Sequence, residues 1–261
     1  MLPQTFIHIP GIGAETEASL WKQGCNSWSH YLEDLNRFRI GSVDREFLRK
    51  QLHSSVQSLE MKRHQFFTKG LGQKEAWRAY PDFRKSCVYL DIETDGGQSG
   101  SSVTMIGLYD GKDFTCLIKG QDLENFRDII SQYNMIVTFF GASFDLPMLR
   151  KCFGNLPMDQ IHIDLCPTLR RVGLRGGLKS IEKQLGICRG EDTVGLNGYD
   201  AILLWRRFER NRDDAALERL IAYNREDVVN LERLAEVAYE QLQEQTLMKA
   251  GLFSVDCEIP A

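Results

Sequence analysis

The sequence contains no Cys-x-x-Cys pair, so the usual signatures of a zinc ribbon or a dithiol redox centre are absent. Its seven cysteines (Cys25, Cys87, Cys116, Cys152, Cys166, Cys188 and Cys257) are scattered and odd in number. They read as reduced thiols, several of them packed as small hydrophobes. No apolar run approaches the roughly 18 residues a membrane helix needs, and the first ten residues show no basic stretch followed by an apolar one. A membrane partner is therefore not expected, and the expected location is cytoplasmic. Excess positive charge is missing too: 32 Lys and Arg stand against 36 Asp and Glu, for a net charge of −4. A polyanion would have to be held by a local patch rather than by the whole surface. Internal repeats and low-complexity tracts are also lacking.

What is present is ordinary globular composition, 43% hydrophobic and 26% charged, over 261 residues. That length suits one large domain or a core domain with a small appendage. Residues 1–80 read as a helical N-terminal segment with a basic linker, and 81–261 as the main domain. The turn Pro10-Gly11-Ile12-Gly13 opens an amphipathic helix through Trp21, with Gly24 as its stop. It resembles the second half of a helix-hairpin-helix, but too few residues precede Gly11 to build the first helix. A short helix follows at 29–35. Phe47, Leu48, Leu52, Val56 and Leu59 then predict one longer helix over about 43–69. Lys62, Arg63, His64, Lys69, Lys74, Arg78, Arg84 and Lys85 form a basic run, which usually means a solvated face.

The stretch 88–94, Val-Tyr-Leu-Asp-Ile-Glu-Thr, reads as a buried strand. With period-two alternation, Val88, Leu90 and Ile92 share one face, while Tyr89, Asp91 and Glu93 share the other. Two carboxylates on one face repel by roughly 4 kcal/mol at 4 Å for an effective dielectric near 20, unless a cation sits between them. Taken alone, the triplet is equally an edge strand with solvated acids; other acids must decide.

Downstream, 103–109 and 114–119 read as strands joined by a turn at Asp110-Gly111. A helix at 123–132, a strand at 135–140, a helix at 144–152 and a strand at 160–164 complete a βββαβαβ order. Helices follow at 178–185, 199–210 and 213–245. Asp145 falls just past a core strand at a helix start, where a carboxylate can face a site without being buried unpaired. Tyr223 and Asp227 stand four residues apart on the last helix, so they share a face. Asp227 lies between Ile221 and Leu231, near the apolar stripe, and there a carboxylate needs a cation or strong donors.

Together, Asp91-x-Glu93, Phe144-Asp145-x-Pro147 and Tyr223-x-x-x-Asp227 resemble, in order and spacing, the three exonuclease motifs of the DEDD superfamily, tyrosine subtype. The runs His162-Ile163-Asp164-Leu165, Leu178-Lys179-Ser180-Ile181-Glu182, Gly198-Tyr199-Asp200-Ala201 and Tyr223 to Val228 are similar to the prokaryotic ribonuclease H-like domain family often called YprB-like. The resemblance covers roughly 83–242. It implies an α/β fold, a ribonuclease H-like mixed five-stranded sheet flanked by helices.

It also implies two Mg²⁺ or Mn²⁺ ions held by Asp91, Glu93, Asp145 and Asp227, with Asp91 bridging both. Tyr223 would be the fifth catalytic residue and would orient the attacking water. The implied substrate is single-stranded DNA or RNA attacked from a 3′ end, with no small-molecule organic cofactor. A structure-directed endonuclease and an inactive nucleic-acid-binding module are the alternatives. Many relatives carry Asn where this chain has Phe140, so strand or sugar recognition is expected to depart from the common pattern. Asp164 is expected to play a structural or supporting role, and His162 to be a satisfied histidine. Arg170, Arg171, Arg175 and Lys179 are either a phosphate-tracking face or a solvated one.

Overall fold

The computed structural model describes residues 1–41, 43–154 and 156–252; Cys257 lies outside them. The chain divides into two compact units, Met1–Asp82 with the residues from Tyr239 onward, and Phe83–Ala238.

The first unit is helical. Helix α1 (Ala14–Lys22) starts after Gly13, and the residues ahead of Gly11 hold only a 3-10 turn, Leu2–Gln4. Ser27 caps α2 (Trp28–Glu33), and Asp44 caps α3 (Arg45–Glu60) by accepting from the Phe47 N–H. The single helix predicted over 43–69 is divided in two. Lys62 takes the left-handed conformation (φ 51°), and the N–H groups of Lys62 and Arg63 return to the carbonyls of Leu59 and Ser58 at 3.1 and 2.8 Å. This closes α3 with a Schellman motif before α4 (His64–Glu75) begins; apolar periodicity alone does not reveal such a break. A short helix α5 (Tyr80–Phe83) ends this stretch.

The basic run is not wholly a solvated face. Arg78 is buried and pairs with buried Glu17 at 2.9 Å and with Glu75 at 2.8 Å. Glu17 also accepts from the Phe6 and Ile7 N–H groups, so it ties the N-terminal strand of chain to α1.

The second unit is the expected mixed sheet, five-stranded among the described residues. Its strands are β1 (Cys87–Thr94), β2 (Val103–Tyr109), β3 (Phe114–Ile118), β4 (Met135–Thr138) and β5 (Ile161–Asp164), in the spatial order β3-β2-β1-β4-β5. The β1–β2 and β2–β3 pairs are antiparallel; the β1–β4 and β4–β5 pairs are parallel. Strand β1 is therefore central and covered on both faces, which is why it is apolar on both sides of its acids.

Val88, Leu90 and Ile92 enter one core with Phe126 of α6 (Phe126–Ile130) and Leu146, Leu149 and Phe153 of α7 (Asp145–Phe153). On the opposite face Met105 and Ile118 meet α10 (Gly198–Asn211) and α11 (Asp214–Lys249) through Leu204, Trp205, Leu220 and Tyr223. Helix α9 (Leu178–Gln184) agrees with expectation, whereas α8 (Leu165–Arg171) was not anticipated. Asp164 caps α8 by accepting from the Cys166 N–H, and the short helix carries too few periodic positions to announce itself. No helix among the described residues is long and apolar enough to cross a membrane.

Gly107 on β2 pairs in register with Asp91. A Cβ added there would lie 1.8 Å from Asn224 Oδ1 and 2.8 Å from its Cγ, so glycine is what lets α11 approach the sheet beside the acids. We predict that Gly107→Ala displaces Asn224 and destabilises the fold by about 1–3 kcal/mol, the range for overpacking a well-filled core. Urea unfolding would measure it; an unchanged midpoint would mean that α11 yields at no cost.

Candidate metal centre

Strand β1 presents Asp91 and Glu93 on the face toward α11, and β1 bends after them, where its register with β2 shifts between Glu93 and Thr94. Helix α11 answers with three side chains on two successive turns. Asn224, fully buried, donates its side-chain amide to Asp91 Oδ2 at 3.1 Å and, more weakly, to Glu93 Oε1 at 3.5 Å. Asp227 brings a carboxylate oxygen within 4.8 Å of those of Asp91 and Glu93. Tyr223, one turn earlier, faces the same space and lines the same clefts.

Asp145 is placed where its sequence position suggested, at the first residue of α7, and it is buried. It stands outside the three-carboxylate group. Its Oδ1 accepts from the Ile92 N–H at 3.1 Å, which anchors it between the two acids of β1. The structure thus brings all five expected residues to one place, three of them within the reach of a single ion.

Three further polar side chains surround the acids and Tyr223, and one of them, Arg189, touches a site acid directly. Arg189, buried and outside any helix or strand, donates to Asp227 Oδ1 at 2.5 Å and forms a two-pronged pair with Glu182 of α9, both contacts at 2.7 Å. Asn230 donates to the same Glu182 at 2.9 Å. Lys179 donates to the Tyr223 hydroxyl at 2.8 Å and to the Leu196 carbonyl, with its ammonium 4.2 Å from the Tyr223 ring centre. Sequence reasoning missed Asn224 and Arg189. Asn224 could have been found as a polar residue on the buried side of an apolar stripe, but Arg189 sits in a loop with no periodicity to mark it. Lys179, left open between two readings, points inward to Tyr223.

The acids open onto two clefts of about 330 Å³ each, which share Asp91, Gly198, Tyr223 and Asp227. Phe144 and Ile202 line one; Phe139, Leu178 and Lys179 line the other. Burial, reinforced by the neighbouring acids, raises Asp91 well above the usual carboxylate range. Burial and then the Asp227 charge push Glu93 up to about 8, against the Asn224 hydrogen bond. Burial raises Asp145 to about 7 despite its backbone donors, and raises Asp227 despite Arg189. Tyr223 is raised by burial first and then by Asp227, so its phenol is a still weaker acid than usual.

The donor set is entirely oxygen, convergent and electrostatically frustrated, which suits a hard divalent cation. A thiol- or imidazole-binding metal finds no partner in it.

Asp164 has the supporting place expected of it. Besides capping α8, it accepts from the Phe140 N–H at 2.8 Å and the Ala142 N–H at 3.0 Å, fixing the turn that leads into Asp145. His162 shares a hydrogen bond with Thr138 at 2.9 Å and is not among the clustered ligands.

A family model of the RNase H superfamily matches residues 88–239. The chain belongs to this superfamily. No curated protein matches it. Members that are nucleases act on nucleic acid with divalent metal ions, and the Asp91, Glu93 and Asp227 cluster supplies this member with a place for one.

The raised acids give a pH dependence with a definite sign. Each binds its proton more tightly in the folded than in the unfolded chain, so stability is fully present below the unfolded carboxylate range and is lost as pH rises through the folded values. For Asp145 and Glu93 those values are about 7 and about 8. The metal-free protein is therefore predicted to melt at falling temperature between about pH 5 and pH 8, and Mg²⁺ or Mn²⁺ at pH 8 should restore the loss. A melting temperature indifferent to both pH and cation would show that the acids are not held against one another.

Proposed function

We propose that this protein is a two-metal-ion-dependent exonuclease of the DEDD tyrosine subtype, hydrolysing single-stranded nucleic acid from the 3′ end. The observation that carries the reading is the placement of Tyr223 one turn before Asp227 on α11, opening onto the same clefts as Asp91. The motif runs quoted above also favour kinship with the YprB-like domains.

Asp91, Glu93 and Asp227 would hold one ion, and Asp91 with Asp145 the second. When bound, the pair supplies charge neutralisation at the scissile phosphate and an activated water. The chain's own residues do the rest. Asn224 fixes the orientation of Asp91 and Glu93 through its amide, and Arg189 fixes Asp227. The Tyr223 oxygen accepts from Lys179, which leaves its single O–H to be donated into the cleft, where it orients a water for in-line attack. Burial keeps that phenol protonated, so Tyr223 positions rather than deprotonates. Phe144 and Ile202 wall the cleft with apolar surface, limiting the water that reaches the acids.

Asp91→Asn is predicted to lower the rate at least a hundredfold while leaving the fold intact. Tyr223→Phe should slow turnover by about ten- to a hundredfold without loss of cation binding, less than the roughly hundred- to ten-thousandfold of a general acid or base, because the phenol only positions the water. The deciding measurement uses strands labelled at either end, DNA and RNA in parallel, with Mg²⁺ or Mn²⁺. Stepwise loss of mononucleotides from the 3′ end is the expected pattern. Internal fragments would replace the exonuclease with a structure-directed endonuclease, and no cleavage with retained binding would leave a nucleic-acid-binding module.

A further inference from the structure

Phe140, in the turn between β4 and α7, is unusual in conformation. Its backbone takes φ 67°, a left-handed conformation shared among the described non-glycine residues only with Lys62 and Arg212. The αL region is unfavourable for a bulky side chain by about 1–3 kcal/mol where structure enforces it. The enforcing contacts are visible: Asp164 receives the N–H groups of Phe140 and Ala142, and Gly141 packs so tightly on Thr138 that a Cβ would lie 2.2 Å from its Oγ1. What this holds in place is an exposed ring. Phe140 is 54% exposed, and Phe144, at the other end of the same turn, is 39% exposed. The turn borders both clefts, since Phe139 lines one with Asp91 and Phe144 lines the other.

An apolar ring kept in water by a strained backbone, next to a site for a polyanion, has no folding rationale. Covering either ring would remove apolar surface from water, while the contacts of Asp164 keep the turn in place. Bases of a single strand are the ligand chemistry that fits: every unpaired base can offer a π face, whereas the bases inside a duplex have theirs covered by their neighbours. We propose that Phe140 is a base-stacking residue that grips an unpaired nucleobase of the strand entering the carboxylate cleft, and so makes the site selective for unpaired ends. A phenyl ring has no donor or acceptor with which to read a base edge, so the grip is tolerant of base identity.

This inference rests on the cleft being the place where a strand is cut, and the test separates the two. The full-length protein carrying Asp91→Asn, which leaves strands intact, is titrated by fluorescence anisotropy with an oligothymidylate and with an abasic strand of the same length. Adding Phe140→Ala should weaken binding of the base-bearing strand about five- to tenfold, toward the lower end of the range for one base–aromatic stack because the ring stays partly in water. Binding of the abasic strand should not change. Phe140→Asn is the second variant: Asn tolerates αL, so it should raise the melting temperature while losing the same base-dependent affinity. Equal effects on both strands, or no effect on either, would overturn the stacking role. Failure of even the starting protein to bind either strand would overturn the nuclease reading along with it.

Discussion

Everything in the second unit follows from one unfavourable interaction, the mutual repulsion of carboxylates brought together away from water. Asp91 and Glu93 on β1, Asp145 on α7 and Asp227 on α11 each raise the proton affinity of another, and burial raises all four. A single pair at 4 Å costs about 4 kcal/mol at an effective dielectric near 20, a large part of the net stability of a domain. Nothing in folding rewards such an arrangement, so the rest of the unit must hold it. The sheet does so by placing β1 in the centre, and α11 does so by laying Asn224 across the two acids. Gly107 does so by the absence of a side chain.

The fold was legible wherever burial imposes a period. Strand β1 is apolar on both sides of its acids because it is covered on both faces, and the α11 stripe is continuous because the helix lies along the sheet. The breaks were less legible. The Schellman closure at Lys62 is made by backbone hydrogen bonds on a residue with no sequence signature for it, and α8 is announced only by its Asp164 cap. Asp164 itself shows why such acids are ambiguous in a sequence. Its two oxygens are used on three backbone N–H groups, a role that leaves the same letter in the chain as a metal ligand does.

The positions of the five residues expected at the site were readable because they sit on regular elements, where spacing gives direction. Arg189 and Lys179 were not, for opposite reasons. Arg189 lies in a loop, and its direction is set by Glu182 and Asp227, residues seven and thirty-eight positions away. Lys179 lies on a helix, but one whose exposed and inward basic residues look alike until the Tyr223 ring beneath is seen.

The charges of this network also set what a cation bound there must offset. Asp227 already has a partner in Arg189, yet Arg189 is simultaneously paired with Glu182, and those two side chains cancel. The arginine therefore gives Asp227 an orientation without relieving the cluster of net charge. Lys179 relieves one unit, through a position nearer to Tyr223 than to β1. If Asp91, Glu93, Asp145 and Asp227 are all ionised, three negative charges remain. Under the two-ion reading proposed above, two divalent cations and one phosphodiester would contribute three positive charges and balance the site. Protons can fill the same role in the metal-free protein, in line with the upward direction in which burial shifts all four acids.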